Sequence, residues 1–312
     1  MEPNGFISHQ RIQDEIYKSI STVDKYIIQP LNINKNQITF SQLTKLICDD
    51  LKKMKFDIMK SDNLYNDDGH SIPGFLGFKT KNRYDGGVIK LNKNYPNSIL
   101  IETLIHEYIH IKDETLPLLP IEENEVNSQA LHDKTLLENV EFHVRICANI
   151  LIMPPKILLN ELSKYKYNID KILSLNKDID KLSVLKWISL IDRNFPCHFA
   201  YILFDKNHKN EIVDMNIEET YTYDHISNPK EFDIITVLNN KYSAAAMACS
   251  TKNNVQKASS INGMDYYCFS YYEKDLIKEI VYEKKPGKTK IKYDRLIIIG
   301  WKKSDYEYIQ KI

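Results

Sequence analysis

"NSILIETLIHEYIHIKDE", residues 97–114, carries His106, Glu107 and His110 in the spacing His-Glu-x-x-His. In an α-helix, residues four apart lie one above the other on one face, so both imidazoles can aim at a single metal ion. Glu107 then stands beside a water on that metal. The metal brings the water's pKa down toward neutrality, and a carboxylate at hand takes the proton. The flanking residues sort by face in the same way. Ile101, Leu104, Ile105, Tyr108 and Ile111 make an apolar side, with Thr103, His106, Glu107 and His110 opposite. The stretch therefore predicts a helix that opens at Asn97 or Ser98 after Pro96 and bears a metal centre on its polar face.

Upstream, residues 8–28 read as a helix with Ile12, Ile16, Ile20 and Val23 at helical spacing, and 41–54 as a second helix with Ser41 as N-cap. "PGFLGFKTKNRYDGGVIKLNKN", 73–94, changes character. Two short apolar runs flank Asp85-Gly86-Gly87, which predicts a β-hairpin. Downstream, a loop with Pro117 and Pro120 leads to a helix from about 133 that Pro154-Pro155 must end. Helical patterning continues over 169–192 and from Pro196 to about 204. Beyond 210, β-prone runs ("FDIITVL", "DYYCFSYY", "KEIVYEKK", "RLIIIGW") alternate with turn residues, and "KKPGKTK" reads as a hairpin turn rather than a phosphate-binding loop.

A catalytic zinc site needs a third protein ligand and an open fourth position. The metzincin continuation is absent, since the sequence runs "HEYIHIKDETL". Asp113, Glu125, Glu138, Glu141 and His143 all lie downstream, and their spacing alone leaves the choice open.

"EFHVRICANILIMP", 141–154, is similar to the second motif of the ImmA/IrrE family of metallopeptidases, in which a Glu ligand opens a helix segment ending in Leu-Leu-Met-Pro. Aligned on "LIMP", Glu141 falls at the ligand Glu and Ala148 at a family Ala, while Val144, Arg145 and Cys147 replace the family's Ala, Asn and Phe. "GGVIKLN" before the first helix and "FPCHFAYILF" after the Met-Pro resemble the family's flanking segments, so the likeness spans roughly 40–205. Ile109 stands where the family has Gly, and no helix-turn-helix is evident. The resemblance implies zinc, with manganese or another divalent metal as substitutes, held by His106, His110 and Glu141. Glu107 is the expected general base, Glu138, one turn from Glu141 on the same face, is its main rival, and Arg145, four residues past Glu141, is placed to orient that carboxylate or to form an ordinary helix-surface pair. The resemblance also implies endopeptidase action on a regulatory protein such as a DNA-binding repressor, in a stress response. The other reading is a non-catalytic metal-binding regulatory protein on the same fold, for which the carboxylate of Glu107 has no use. Arg83, Tyr84 and Tyr108 are the nearby candidates for stabilising an oxyanion, and "GGVIKLN" is an expected exposed edge for an extended peptide.

Composition narrows the classes. Forty-two basic and 42 acidic residues give zero net charge, so neither nucleic acid nor an anionic membrane is an expected partner. No apolar run approaches the roughly 20 residues of a membrane helix, and the N-terminus has no signal-peptide pattern. Five scattered cysteines without a CxxC pair suit reduced thiols and a cytoplasmic protein. The expected fold class is α+β. An N-terminal helical extension over 1–40 precedes a zincin-like peptidase domain of helices and a small sheet over 41–205. A β-rich or α+β domain over 206–312 follows, with a sensory or substrate-docking role.

Overall fold

The helix predicted around His106 runs from Asn97 to Lys112 (α3) in a computed structural model that describes residues 9–34, 38–62, 64–65, 71–80, 82–116, 130–192, 194–206, 212–221, 234–261, 264–281 and 288–311. The chain is α+β and divides into two compact units, one built from 10–66 and 71–157, the other from 158 onward. The expected boundary at 206 thus moves to 157/158, and residues 10–40 belong to the first unit rather than extending from it.

In the first unit α1 (His9–Val23) buries Ile12, Ile16 and Val23. The next helix, α2 (Phe40–Lys53), begins one residue before the expected Ser41 cap. Thr39 accepts from Gln42 N and Gln42 returns the contact to Thr39 N, a reciprocal capping box. Leu43, Ile47 and Leu51, four apart, form its buried stripe. Three strands follow, β1 (Phe56–Ser61), β2 (Gly74–Phe78) and β3 (Gly87–Asn92), ordered β1-β3-β2, with β1 parallel and β2 antiparallel to β3. The hairpin expectation holds. The exposed-edge expectation does not, because "GVIKLN" is the central strand, paired on both sides. Its first residue explains the Gly-Gly pair. A Cβ at Gly87 would come within 2.2 Å of Gly77 O, and Gly86 takes φ +85°, which costs a glycine little. The helix that carries Glu141, α4 (Ala130–Ile152), ends before Pro154 as expected.

After α5 (Pro155–Lys164), which leads into the second unit, α6 (Ile169–Leu175) and α7 (Lys181–Ile191) divide what the pattern suggested as one helical stretch. Strands β4 (Cys197–Lys206), β5 (Ile212–Tyr221), β6 (Val255–Ile261), β7 (Met264–Val281) and β8 (Lys288–Lys302) form an antiparallel sheet ordered β5-β4-β8-β7-β6. The chain crosses from one edge to the other through α8 (Ile234–Asn239) and α9 (Ala244–Thr251), and closes with α10 (Lys303–Lys311). Two expectations are corrected here. "CHFAYILF" is a strand, not a helix, and "IITVL" is helical, not a strand. Helices cover both faces of the sheet: α9 packs on β6, β7 and β8, while α7 and α10 pack on the other side. A strand buried on both faces loses the alternation that marks a strand in sequence. In α8 the burial of Val237 against the sheet outweighs a modest β-branched bias. The "KKPGKTK" turn lies largely outside the described residues, but Val281 and Lys288 pair on either side of it.

Arg295 on β8 holds this unit's face toward α7, donating to Glu273 and, at 2.9 Å, to Asp180, while Lys181 meets Glu273 at 3.0 Å. Burial raises the Glu273 carboxyl, but Arg295 and Lys181 outweigh it and hold the group below the usual carboxylate range. A depressed folded-state pKa adds stability that is present above the unfolded value and is lost as pH falls through the folded one. Glu273→Gln therefore costs about 1–2 kcal/mol at neutral pH. It also flattens the acid limb of stability, as thermal melts from pH 7 to pH 3 will read.

Candidate metal centre

On α3, His106 and His110 stand one turn apart, rings 4.9 Å between centroids and nitrogens Nε2 to Nε2 at 3.2 Å. Glu141 reaches them from α4, with Oε2 3.1 Å from His106 Nε2 and Oε1 3.2 Å from His110 Nε2. No other group of three or more His, Cys, Asp or Glu side chains among the described residues converges in this way. Zinc bonds of 2.0–2.1 Å at tetrahedral angles put neighbouring ligand atoms about 3.3 Å apart. The two Nε2 atoms stand at that spacing, 3.2 Å apart, and each has a different Glu141 oxygen beside it, Oε2 at 3.1 Å for His106 and Oε1 at 3.2 Å for His110, so the residues present fit a divalent metal.

The electrostatics agree with a cation-binding cradle. Burial by itself raises the Glu141 carboxyl, but the two imidazoles hold it well below the ordinary range, so it is an anion across neutral pH. Burial pushes the Glu107 carboxyl up, His106 and His110 oppose this, and Glu141 adds to it. His110 is buried, while His106, Glu107 and Glu141 keep partial solvent access, as a site that admits water and substrate requires.

The rival third ligands fall away one by one. Glu138 is exposed and outside the trio. Asp113 is buried at the end of α3, accepting from Thr115 N at 2.9 Å and from Thr115 Oγ1 at 2.6 Å. His143 is buried with Nε2 3.0 Å from Asp113 Oδ2, its Nδ1 meeting Glu15 of α1 and lying 3.2 Å from Ser19 Oγ. Burial alone would lower its pKa, but Asp113, Cys147 and Glu15 carry it up to about 11, so it is a cation inside a carboxylate pair. Glu125 lies outside the described residues. Arg145 is exposed and, among the described residues, makes no ion pair with Glu141, so it does not orient that carboxylate.

The three oxyanion candidates are all engaged elsewhere. Tyr108 is buried with its hydroxyl on Asp50 at 2.7 Å, Tyr84 donates to Glu114 at the surface, and Arg83 spends its guanidinium on main-chain carbonyls at the end of α3. The roles of buried Arg83 and half-buried Glu15 are absent from the sequence reading. Neither stands in an apolar pattern that would mark it, since Gln13 and Asp14 precede Glu15 and Arg83 follows a polar run. Ile109, at the family's Gly position, is fully packed.

No family model matches the chain, and no curated protein matches it. Among solved structures it is similar to a Mycobacterium tuberculosis transcriptional regulator at 10% identity and a TM-score of 0.45, over 95% of this chain and 82% of that one. No single helix among the described residues is long and apolar enough to cross a membrane.

Proposed function

We propose that the chain is a zinc-dependent endopeptidase whose substrate is a regulatory protein, such as a transcriptional repressor. The observation that supports this most is the convergence of the His106 and His110 Nε2 atoms on the Glu141 carboxylate, with a second carboxylate, Glu107, on the same helix between the two imidazoles. A purely structural zinc site is closed by four protein ligands, whereas three with an open position is the catalytic pattern. Bound to these residues, the metal supplies Lewis acidity and a more acidic water.

The chain's own residues do the rest. Glu141 stays ionised and charge-matches the cation. Glu107, raised by its burial, takes a proton from water at its carboxylate and hands it to the departing amine nitrogen as the carbon–nitrogen bond breaks. An extended peptide finds its free main-chain edge on β2, not on β3. β2 pairs only with β3 among the described residues, and at Gly74 it presses against Thr103 of α3, one turn before His106.

Zinc titration of the full chain, followed by cleavage of a proteome-derived peptide library read by mass spectrometry, tests this. One zinc per chain is expected, together with cleavage that a chelator abolishes and added zinc restores. Stoichiometric zinc without any chelator-sensitive cleavage, across peptides and folded repressors alike, would overturn the peptidase reading.

A further inference from the structure

The two ligand-bearing helices are tied together at one residue that binds no metal. Asp113 closes α3, its N–H donating to Ile109 O at 2.9 Å, three residues past the ligand His110. The last carbonyls of a helix have no intrahelical donors and carry the negative end of the helix dipole. Arg83, from the 3-10 turn Arg83–Asp85 that precedes β3, fills that role from within the core. Its guanidinium donates to Asp113 O and Leu116 O at 2.5 Å and lies 3.5 Å from His110 O. From the other side His143, two residues after the ligand Glu141 on α4, reaches the Asp113 carboxylate at 3.0 Å, and its far nitrogen is anchored on Glu15 of α1. Arg83 is 8% exposed and His143 2%, so neither contact is a solvent-screened surface pairing.

From this juxtaposition we infer that Arg83 and His143, meeting at Asp113, are positioning residues that set the spacing of α3 against α4 and hold His106, His110 and Glu141 together before metal arrives. The inference rests on reading the trio as a metal site. A shift of one helix by a fraction of an ångström opens the 3.1–3.2 Å contacts between Glu141 and the imidazoles. Each ligand helix is pinned within one turn of its ligand by groups that leave the donor atoms free. Partners of this outer kind are worth roughly 10–100-fold in metal affinity.

Zinc affinity of the full chain, measured by competition with a chromophoric chelator, separates positioning from simple stabilisation. The proteins are wild type, Arg83→Met, Arg83→Lys and the isosteric Asp113→Asn, with circular dichroism of each metal-free form at the assay temperature. Arg83→Met and Asp113→Asn are expected to bind zinc about 10–100-fold more weakly while folded, and Arg83→Lys, which keeps a cation at the carbonyls, recovers part of the loss. Should Arg83→Met fail to fold, the gentler Asp113→Asn carries the comparison. Folded variants that melt earlier yet bind zinc as tightly as wild type would show a structural cap only and overturn the inference. A wild-type chain that binds no zinc fails differently, because it removes the metal reading itself.

Discussion

Glu107→Gln is expected to lower turnover by a factor of about 10²–10⁴ while leaving one zinc per chain. Glutamine keeps the size of the side chain and its place on α3 but cannot accept a proton. The candidate donor atoms are Nε2 of His106, Nε2 of His110 and the Glu141 carboxylate, none of which the substitution touches. The loss therefore appears in kcat with little change in KM, since the proton is moved only as the reaction proceeds. Cleavage of the best library peptide, with metal content measured on the same samples, provides the check. Equal loss of zinc and of activity would instead make Glu107 a part of the metal's binding and not of the proton path.

The first helix of this site was legible because helical geometry is local. Spacing of four residues places His106 over His110 whatever the rest of the chain does, and the apolar residues between them report the buried side. Glu141 was not legible in that way. It lies thirty-one residues past His110, and only the packing of α4 on α3 selects it over Glu138, Asp113 or His143. A resemblance in "EFHVRICANILIMP" pointed to it, and of these four groups it is Glu141 that lies beside both imidazoles.

The same division between local and non-local explains the misreadings. A hairpin at 73–94 follows from turn chemistry, but whether β3 is an edge depends on β1, which pairs with it across twenty-five residues of sequence or more. Residues 197–204 gave no alternation because α7 and α9 cover opposite faces of their sheet, and that error carried the domain boundary from 157 to 206. The positioning network is the extreme case. Arg83, Asp113, His143 and Glu15 come from four separate elements and share no motif, yet all are inside the first unit. Arg83 and Glu15 sit in locally polar stretches, so only the fold says what they hold.

Lys206→Met is expected to destabilise the second unit by about 3–5 kcal/mol. Lys206, at the end of β4, pairs with Asp294 of β8, and both side chains are almost wholly buried, at 4% and 0% exposure. Tyr272 donates to the other carboxylate oxygen at 2.5 Å, and Lys252, at the end of α9, stays 3.8 Å away and partly in solvent. Methionine preserves the stem's bulk, so packing survives, but it leaves the Asp294 carboxylate in the core with its nearest cation gone. Desolvation of that charge is then no longer offset, which is why breaking one side of a buried pair costs more than the pair is worth. Lys206→Met combined with Asp294→Asn strands no charge and should recover much of the loss. Both tryptophans, Trp187 and Trp301, are buried in this unit, so their fluorescence during denaturant unfolding reports on it alone. An unchanged midpoint for Lys206→Met, or a double variant weaker than the single, would mean that the pair does not hold this core. Recovery in the double variant would instead show that stability here depends on charge balance rather than on the contact itself.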